Sequence, residues 1–190
     1  MKMILASGSP RRRELMEMLG FEDIEIIPAK GEENAGGITE PGRLVEALSA
    51  AKAQEVAGKF SGDELVIGAD TVVWLDGKVL GKPRSREEAA EMLRALSGRE
   101  HQVYTGVSLV RQGRLTSEHE VSRVFFRELT EDEIEAYIAT GEPMDKAGAY
   151  GAQGLGALFV RRIDGDFFNV MGLPVCRLVE MLREQGVRIL

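Results

Sequence analysis

Residues 3–20, Met-Ile-Leu-Ala-Ser-Gly-Ser-Pro-Arg-Arg-Arg-Glu-Leu-Met-Glu-Met-Leu-Gly, constrain the fold more than any other stretch. A short apolar strand (Met3, Ile4, Leu5) runs into a loop of small residues (Ala6, Ser7, Gly8, Ser9). A helix then begins at Pro10, with Ser9 as N-cap and proline at the first helical position. The chain therefore mixes β and α from its first turn. Arg11, Arg12 and Arg13 crowd that turn, where the helix dipole already presents partial positive charge and disfavours cations. Three guanidinium groups beside unpaired N–H donors read as a receptor for an anion, phosphate above all. Outward pairing with Glu14 and Glu17, such as Arg13 with Glu17 at i, i+4, accounts for one arginine more readily than for three.

The rest of the chain supports an α/β reading. At 190 residues it is expected to form one domain, 1–190, or two tightly merged lobes. Ile24–Ile27 reads as a short strand, residues 29–40 as a loop rich in Gly, Glu and Asn, and Pro41 opens a helix to about Gly58. The loop carries Glu32 and Glu33, which spacing alone reads as solvated charge; Lys52 lies beside the apolar stripe of the helix and by itself carries no weight. Leu65–Ala69 reads as a strand buried on both faces that ends at Asp70-Thr71. Ligand-binding residues gather at the carboxyl ends of central strands, so Asp70 is read as a metal or proton-handling group rather than a turn former.

Val72–Leu80 reads as a hairpin closed by Asp76-Gly77, followed by the cations Lys82 and Arg84 around Pro83. Ser85 with Glu88, and Thr130 with Glu133, form capping boxes for two further helices. Two longer strands, His101–Val110 and Leu115–Phe126, join through Gln112-Gly113. Residues 145–156 hold four glycines in nine positions from Gly148, a loop in which backbone comes close to a ligand or turns sharply. Leu158–Ile163 reads as a strand, and Leu173-Pro174 opens a last helix to about Gly186. Antiparallel hairpins interrupt any parallel core.

Composition narrows the chemistry. The formal net charge of −7, from 31 acidic against 24 basic residues, argues against nucleic-acid backbone binding as the main task. One cysteine, Cys176, excludes an internal disulfide framework and fits a reducing, cytoplasmic setting. With two histidines beside it, a Cys/His zinc site is implausible, so a metal would be held by carboxylates and be magnesium or manganese. No apolar run reaches transmembrane length and no secretory pattern precedes the arginines, so no membrane association is expected. Carboxylates, cations and a helix N-terminus are together what phosphoanhydride chemistry needs. There is no Walker motif and no nucleophile elbow.

The segments Ala6-Ser7-Gly8-Ser9-Pro10-Arg11-Arg12, Gly68-Ala69-Asp70-Thr71-Val72-Val73, Gly81-Lys82-Pro83-Arg84, Leu96-Ser97-Gly98 and Asp145-Lys146-Ala147-Gly148-Ala149-Tyr150-Gly151 resemble the Maf family. Its members are house-cleaning nucleoside triphosphate pyrophosphatases, once named for inhibition of septum formation. The resemblance runs from Met3 to the last helix. It implies a mixed α/β fold of the Maf and inosine triphosphatase kind: a central twisted mixed sheet flanked by helices, with two lobes around a deep cleft. It implies hydrolysis between the α and β phosphates with a divalent metal, Mg²⁺ or Mn²⁺, and a homodimer.

Carried over by position, Asp70 is similar to the family's proton acceptor and metal-linked carboxylate. Glu33 is similar to its second acid, although the run Lys30-Gly31-Glu32-Glu33 departs from the family pattern and leaves Glu32 as an alternative. Ser7, Ser9, Arg12 (or Arg13), Lys52 and Lys82 resemble its phosphate-binding set. The run Gly148–Gly154 resembles the branch acting on dTTP and UTP, with Arg11, Thr71 and Gln153 in the positions of specificity residues. A glutamine amide can both donate to and accept from a pyrimidine edge. The alternatives are the 7-methyl-GTP branch, recognised by activity on that nucleotide, and a non-catalytic regulator of cell division, recognised by dTTP bound unchanged.

Overall fold

A computed structural model describes residues 2–21, 23–31 and 36–189. In chain order the elements are β1 (Met3–Leu5), α1 (Pro10–Met18), β2 (Glu25–Ile26), α2 (Pro41–Ala57), β3 (Leu65–Leu75), β4 (Lys78–Leu80), α3 (Arg86–Leu96), β5 (Glu100–Arg111), β6 (Arg114–Phe126) and α4 (Glu131–Ala139). Three short 3₁₀ turns follow, Glu142–Asp145, Ala147–Ala149 and Leu155–Phe159, and then β7 (Val160–Asp164), α5 (Phe167–Met171) and α6 (Val175–Glu184). The strands form one mixed sheet in the order β2-β1-β3-β5-β6-β7, with β4 paired to β3. β1 is parallel to both β2 and β3, whereas β4 and β7 pair antiparallel with β3 and β6. No helix among the described residues is long and apolar enough to cross a membrane.

The chain divides into two compact units, Met1–Asp70 with Thr105–Glu120 and Gly172–Leu190, and Thr71–Tyr104 with Val121–Met171. In the first, Ile4, Ala6, Ala53, Val56, Val66 and Val110 form a buried cluster between α2 and the strands. Polar groups in this interior are paired: the Ser108 hydroxyl meets those of Ser49 at 2.7 Å and Ser117 at 2.8 Å. In the second, α3 and α4 supply Leu93, Leu96, Ile134 and Tyr137 to a larger core. Phe126, Tyr150 and Phe159 meet edge to face there, and the buried His101 ring joins them.

Local signals explain most boundaries. The Asp76-Gly77 turn has both residues at positive φ (50° and 78°), as does Gln112-Gly113 (49° and 76°), the geometry that two-residue hairpins demand. The Thr130–Glu133 capping box forms in full. At α3 only half of the expected box forms. Ser85 accepts from the Glu88 amide, but the Glu88 carboxylate takes the Arg84 amide at 2.6 Å.

Three expectations are corrected. β3 does not end at Asp70-Thr71 but runs on to Leu75, so this acid stands in mid-strand. Ser9 occupies the N-cap position of α1 without a side-chain cap bond. The strand expected at Leu158–Ile163 begins two residues later, because Leu155–Phe159 coil into a 3₁₀ turn.

Candidate active site

The first unit is built on the closeness of one helix to two strands. Side chains alternate along β3, so Val66, Gly68 and Asp70 share a face, and α2 lies against that face. A Cβ added to Gly68 would sit 2.3 Å from the Ser49 carbonyl oxygen and 2.9 Å from Ala53 Cβ. On β5, one added to Gly106 would sit 2.2 Å from the Val45 carbonyl oxygen. The two glycines are therefore what lets α2 rest directly on the sheet. Lys52, between Ser49 and Ala53 on that helix, reaches Asp70 with its ammonium: Nζ to Oδ1 is 2.5 Å. The two side chains are 19% and 8% exposed, so the ion pair is largely withdrawn from water. A mid-strand carboxylate at such depth requires a cation partner, and the helix supplies it.

The loop after β1 lies at the same end of the strands. Leu5 is in register with Ile67, and the Ala6 amide donates to the Ile67 carbonyl at 2.8 Å. Ser7 thus follows Leu5 by two residues while Asp70 follows Ile67 by three. The buried Ser7 hydroxyl accepts from the Ser9 amide (3.3 Å) and from Arg12 Nη1 (3.0 Å), and Arg12 Nε donates to the Gly172 carbonyl at 2.7 Å. Arg12, expected to bind phosphate, commits these two donors to bracing the loop. Arg13 pairs with Glu17 at 2.8 Å on the surface, as its spacing suggests. Arg11 is half-buried. No acidic side chain stands in the first turn of α1, so its positive end meets small side chains and arginines.

β2 ends at the same side, where the Ile27 amide donates to the Leu5 carbonyl. The acidic loop leaves from there. Glu55 of α2 grips its first residues, taking the Lys30 amide at 2.9 Å and the Gly31 amide at 2.8 Å. Those two hydrogen bonds hold the Glu55 carboxyl below its ordinary pKa. At the far end of the loop Glu40 caps α2, accepting from the Gly42 and Arg43 amides at 2.8 and 2.7 Å. Glu32 and Glu33 lie outside the described residues.

The remaining candidates belong to the second unit. Thr71 follows Asp70 on β3 and is half-buried. Lys82 is exposed, one residue past Gly81, whose carbonyl accepts from the Gly148 amide at 3.0 Å. Gly148 takes φ +68° against Val73, where a Cβ would approach to 2.8 Å, so the contact tolerates only glycine.

Gln153 is exposed in the loop that follows. That loop is organised by a residue sequence reading did not single out, Glu142. Its carboxylate accepts from the Tyr137 hydroxyl (2.9 Å), the Leu155 amide (2.9 Å) and the Gly156 amide (3.2 Å). Burial pushes its carboxyl up, but the two amides, the Tyr137 hydroxyl and Lys146 outweigh that and hold it below its ordinary pKa. Nothing in the local pattern marks this role, because the partners are backbone amides. The only cue is the glycine density itself.

Among the described residues, then, the first unit brings Lys52 to Asp70 in mid-strand on β3, and Arg12 to Ser7 just past the end of its parallel neighbour β1. No group of three or more His, Cys, Asp or Glu among the described residues could hold a metal ion. Asp70 still fits a magnesium or manganese site. Such ions bind nucleotides through one or two carboxylates, with the phosphates supplying further oxygens.

A profile of the Maf-like protein family matches residues 2–185. A dTTP/UTP pyrophosphatase of Bacillus anthracis (strain CDC 684 / NRRL 3495) is 47% identical over 99% of this chain and 97% of its own length. One of Bacillus cereus (strain ZK / E33L) is 48% identical over the same shares. Among solved structures, the HAM1 protein of Coxiella burnetii superposes with a TM-score of 0.56 at 17% identity, over 97% of this chain and 99% of that one. The Ham1 protein of Staphylococcus aureus gives 0.55 at 14% identity, over 98% and 100%. These two likenesses show a shared fold. The family match and the near-full-length identity show more: the chain belongs to the Maf family.

Proposed function

We propose that this chain is a nucleoside triphosphate pyrophosphatase that hydrolyses dTTP and UTP to the monophosphate and pyrophosphate, clearing nucleotide pools. The observation that carries the reading is the withdrawn Lys52–Asp70 pair, in mid-strand on β3 beside the end of β1 from which the Ser7–Arg12 loop leaves. Family membership and the names of relatives nearly half identical in sequence support it.

In this reading the N–H groups at the start of α1, with Ser7, Ser9 and Lys52, receive phosphate oxygens. Arg12 holds Ser7 in place for them. Lys82 also binds phosphate, and Arg11, Thr71 and Gln153 read the pyrimidine. Water attacks the α-phosphorus, the bond to the bridging oxygen breaks, and pyrophosphate leaves. Asp70 takes the proton of the attacking water, and Lys52 fixes the carboxylate through Oδ1. A divalent cation, held by Asp70 and by Glu33 from the acidic loop, would neutralise phosphate charge as the bond breaks. We also infer a cytoplasmic enzyme that works as a homodimer, which light scattering on the purified protein measures.

The test is pyrophosphate release from dTTP, UTP, dCTP and 7-methyl-GTP with Mg²⁺ or Mn²⁺ present. Wild-type protein should turn over the two pyrimidines named, and Asp70→Asn should lower kcat about 10²- to 10⁴-fold, the usual span for a lost general base. Turnover of neither dTTP nor UTP refutes the substrate assignment, and turnover of 7-methyl-GTP in their place moves the chain to the sister branch.

A further inference from the structure

Gln153 lies between two points at which one carboxylate–phenol pair grips the backbone. Before it, the Gly151 amide donates to the Tyr137 hydroxyl at 3.1 Å. After it, the Leu155 and Gly156 amides donate to Glu142, and the Tyr137 hydroxyl itself donates to Glu142. Both grips therefore end on the same two side chains, which stand on or just after α4, a rigid element. Lys146 adds a third tie, donating to the Glu142 carbonyl at 2.7 Å.

The glycines of the loop record how tightly it is drawn onto this pair. A Cβ on Gly154 would lie 2.4 Å from Glu142 Oε1, one on Gly156 2.8 Å from the Tyr137 hydroxyl, and one on Gly151 2.7 Å from Lys146 Cε. None of the three has a positive φ that would by itself demand glycine. At these positions the missing side chain lets the backbone lie close to Glu142, Tyr137 and Lys146, and at Gly156 also to the Gly151 carbonyl oxygen, 2.7 Å from an added Cβ. A loop held at both flanks of one exposed amide, with its glycines packed against the holding groups, presents that amide in a restricted range of positions.

We propose that Glu142, together with Tyr137, is the positioning residue for Gln153 and so sets the base selectivity of the enzyme without touching substrate. The inference rests on the reading of Gln153 as the pyrimidine-recognising group. Two substitutions test it: Glu142→Gln, which replaces an acceptor facing two amides by a group that is half donor, and Tyr137→Phe, which removes the hydroxyl alone. The readouts are KM and kcat for dTTP and dCTP, the ratio of their kcat/KM values, and the thermal midpoint.

In either variant KM for dTTP should rise and the dTTP-to-dCTP ratio should fall about tenfold, with kcat nearly unchanged, the scale of one lost hydrogen bond to a charged group. The Glu142→Gln/Gln153→Ala double variant should be no less selective than Gln153→Ala, because Glu142 acts through that residue. A merely structural role would lower the folded fraction and kcat for both nucleotides alike. An unchanged ratio in the folded variants overturns the proposal, and so does a selectivity loss that adds to that of Gln153→Ala. If Glu142→Gln does not fold, Tyr137→Phe decides on the same readouts. Wild-type protein inactive on dTTP and UTP overturns the substrate reading together with this one, whereas active wild type with an unchanged ratio overturns this one alone.

Discussion

Replacing Gly68 by alanine tests whether the contact between α2 and β3 sets the Lys52–Asp70 geometry. The added methyl would sit 2.3 Å from the Ser49 carbonyl oxygen and 2.9 Å from both the amide nitrogen and Cβ of Ala53. Ordinary contact begins near 3.4 Å, so the backbone of α2 must back away by about 1 Å, because neither the strand nor the helix offers a flexible side chain to yield instead. Overpacking of this kind costs about 1–3 kcal/mol, which for a chain of this length lowers Tm by roughly 2–12 °C.

Lys52 rides on the displaced helix while Asp70 stays on the strand, so the 2.5 Å contact opens. A displacement of about 1 Å at catalytic groups is worth about a hundredfold in kcat. The assay is pyrophosphate release from dTTP alongside thermal unfolding, with Gly58→Ala as the control. Gly58 caps the same helix in an ordinary right-handed conformation, and its added methyl would meet nothing closer than 3.5 Å. That variant should match wild type in rate. If Gly68→Ala keeps wild-type kcat while Gly58→Ala behaves as a neutral control, the argument that glycine spacing sets the ion pair is wrong.

Two further outcomes follow from other parts of the molecule. His101 is buried, its Nε2 meets the Tyr150 hydroxyl at 2.8 Å, its Nδ1 has no partner, and burial pushes its pKa down to about 4. The fold therefore binds neutral histidine. Stability is fully present above the unfolded pKa near 6.5 and is lost as pH falls through the window down to about 4, by roughly 3 kcal/mol in all. Urea unfolding of wild type and His101→Gln between pH 7 and pH 4 should show the steeper loss in wild type; parallel curves would sink the idea. For the arginines, Arg13→Ala should change Tm and KM little, since exposed ion pairs are worth under about 1 kcal/mol. Arg12→Ala removes the brace on Ser7 and Gly172 and should raise KM for dTTP severalfold; equal effects of the two substitutions would contradict the bracing role.

Much of this architecture was legible where a local rule decides the backbone. The dipeptides Asp76-Gly77 and Gln112-Gly113 announced hairpins because their turns require positive φ, and the Thr130–Glu133 pair announced a helix start because both halves of its box are within three residues. Asp70 stands out by position and reads as a strand end, yet it is a buried carboxylate in mid-strand. What makes it tenable is Lys52, eighteen residues earlier on a helix that two distant glycines admit to the sheet, and no local pattern reports that. Lys52 itself acquired significance only through family resemblance. Glu55 and Glu142 act on backbone amides far along the chain and leave no side-chain motif. α5 escaped notice because five residues are too few to display a helical period.

The two carboxylates at the ends of the acidic loop, Glu55 and Glu40, also set how short the segment between them can be. Gly31 is tied to Glu55 near the end of α2 and Glu40 caps its beginning, so the two anchors stand most of that helix apart, about 20 Å at 1.5 Å per residue. Nine residue steps from Gly31 to Glu40 can reach about 30 Å when extended. The sequence between the anchors thus holds about half again as much chain as their separation demands, so about six of the nine steps would suffice to join them. That separation sets a lower limit on how short this segment can become in any relative that keeps both anchors.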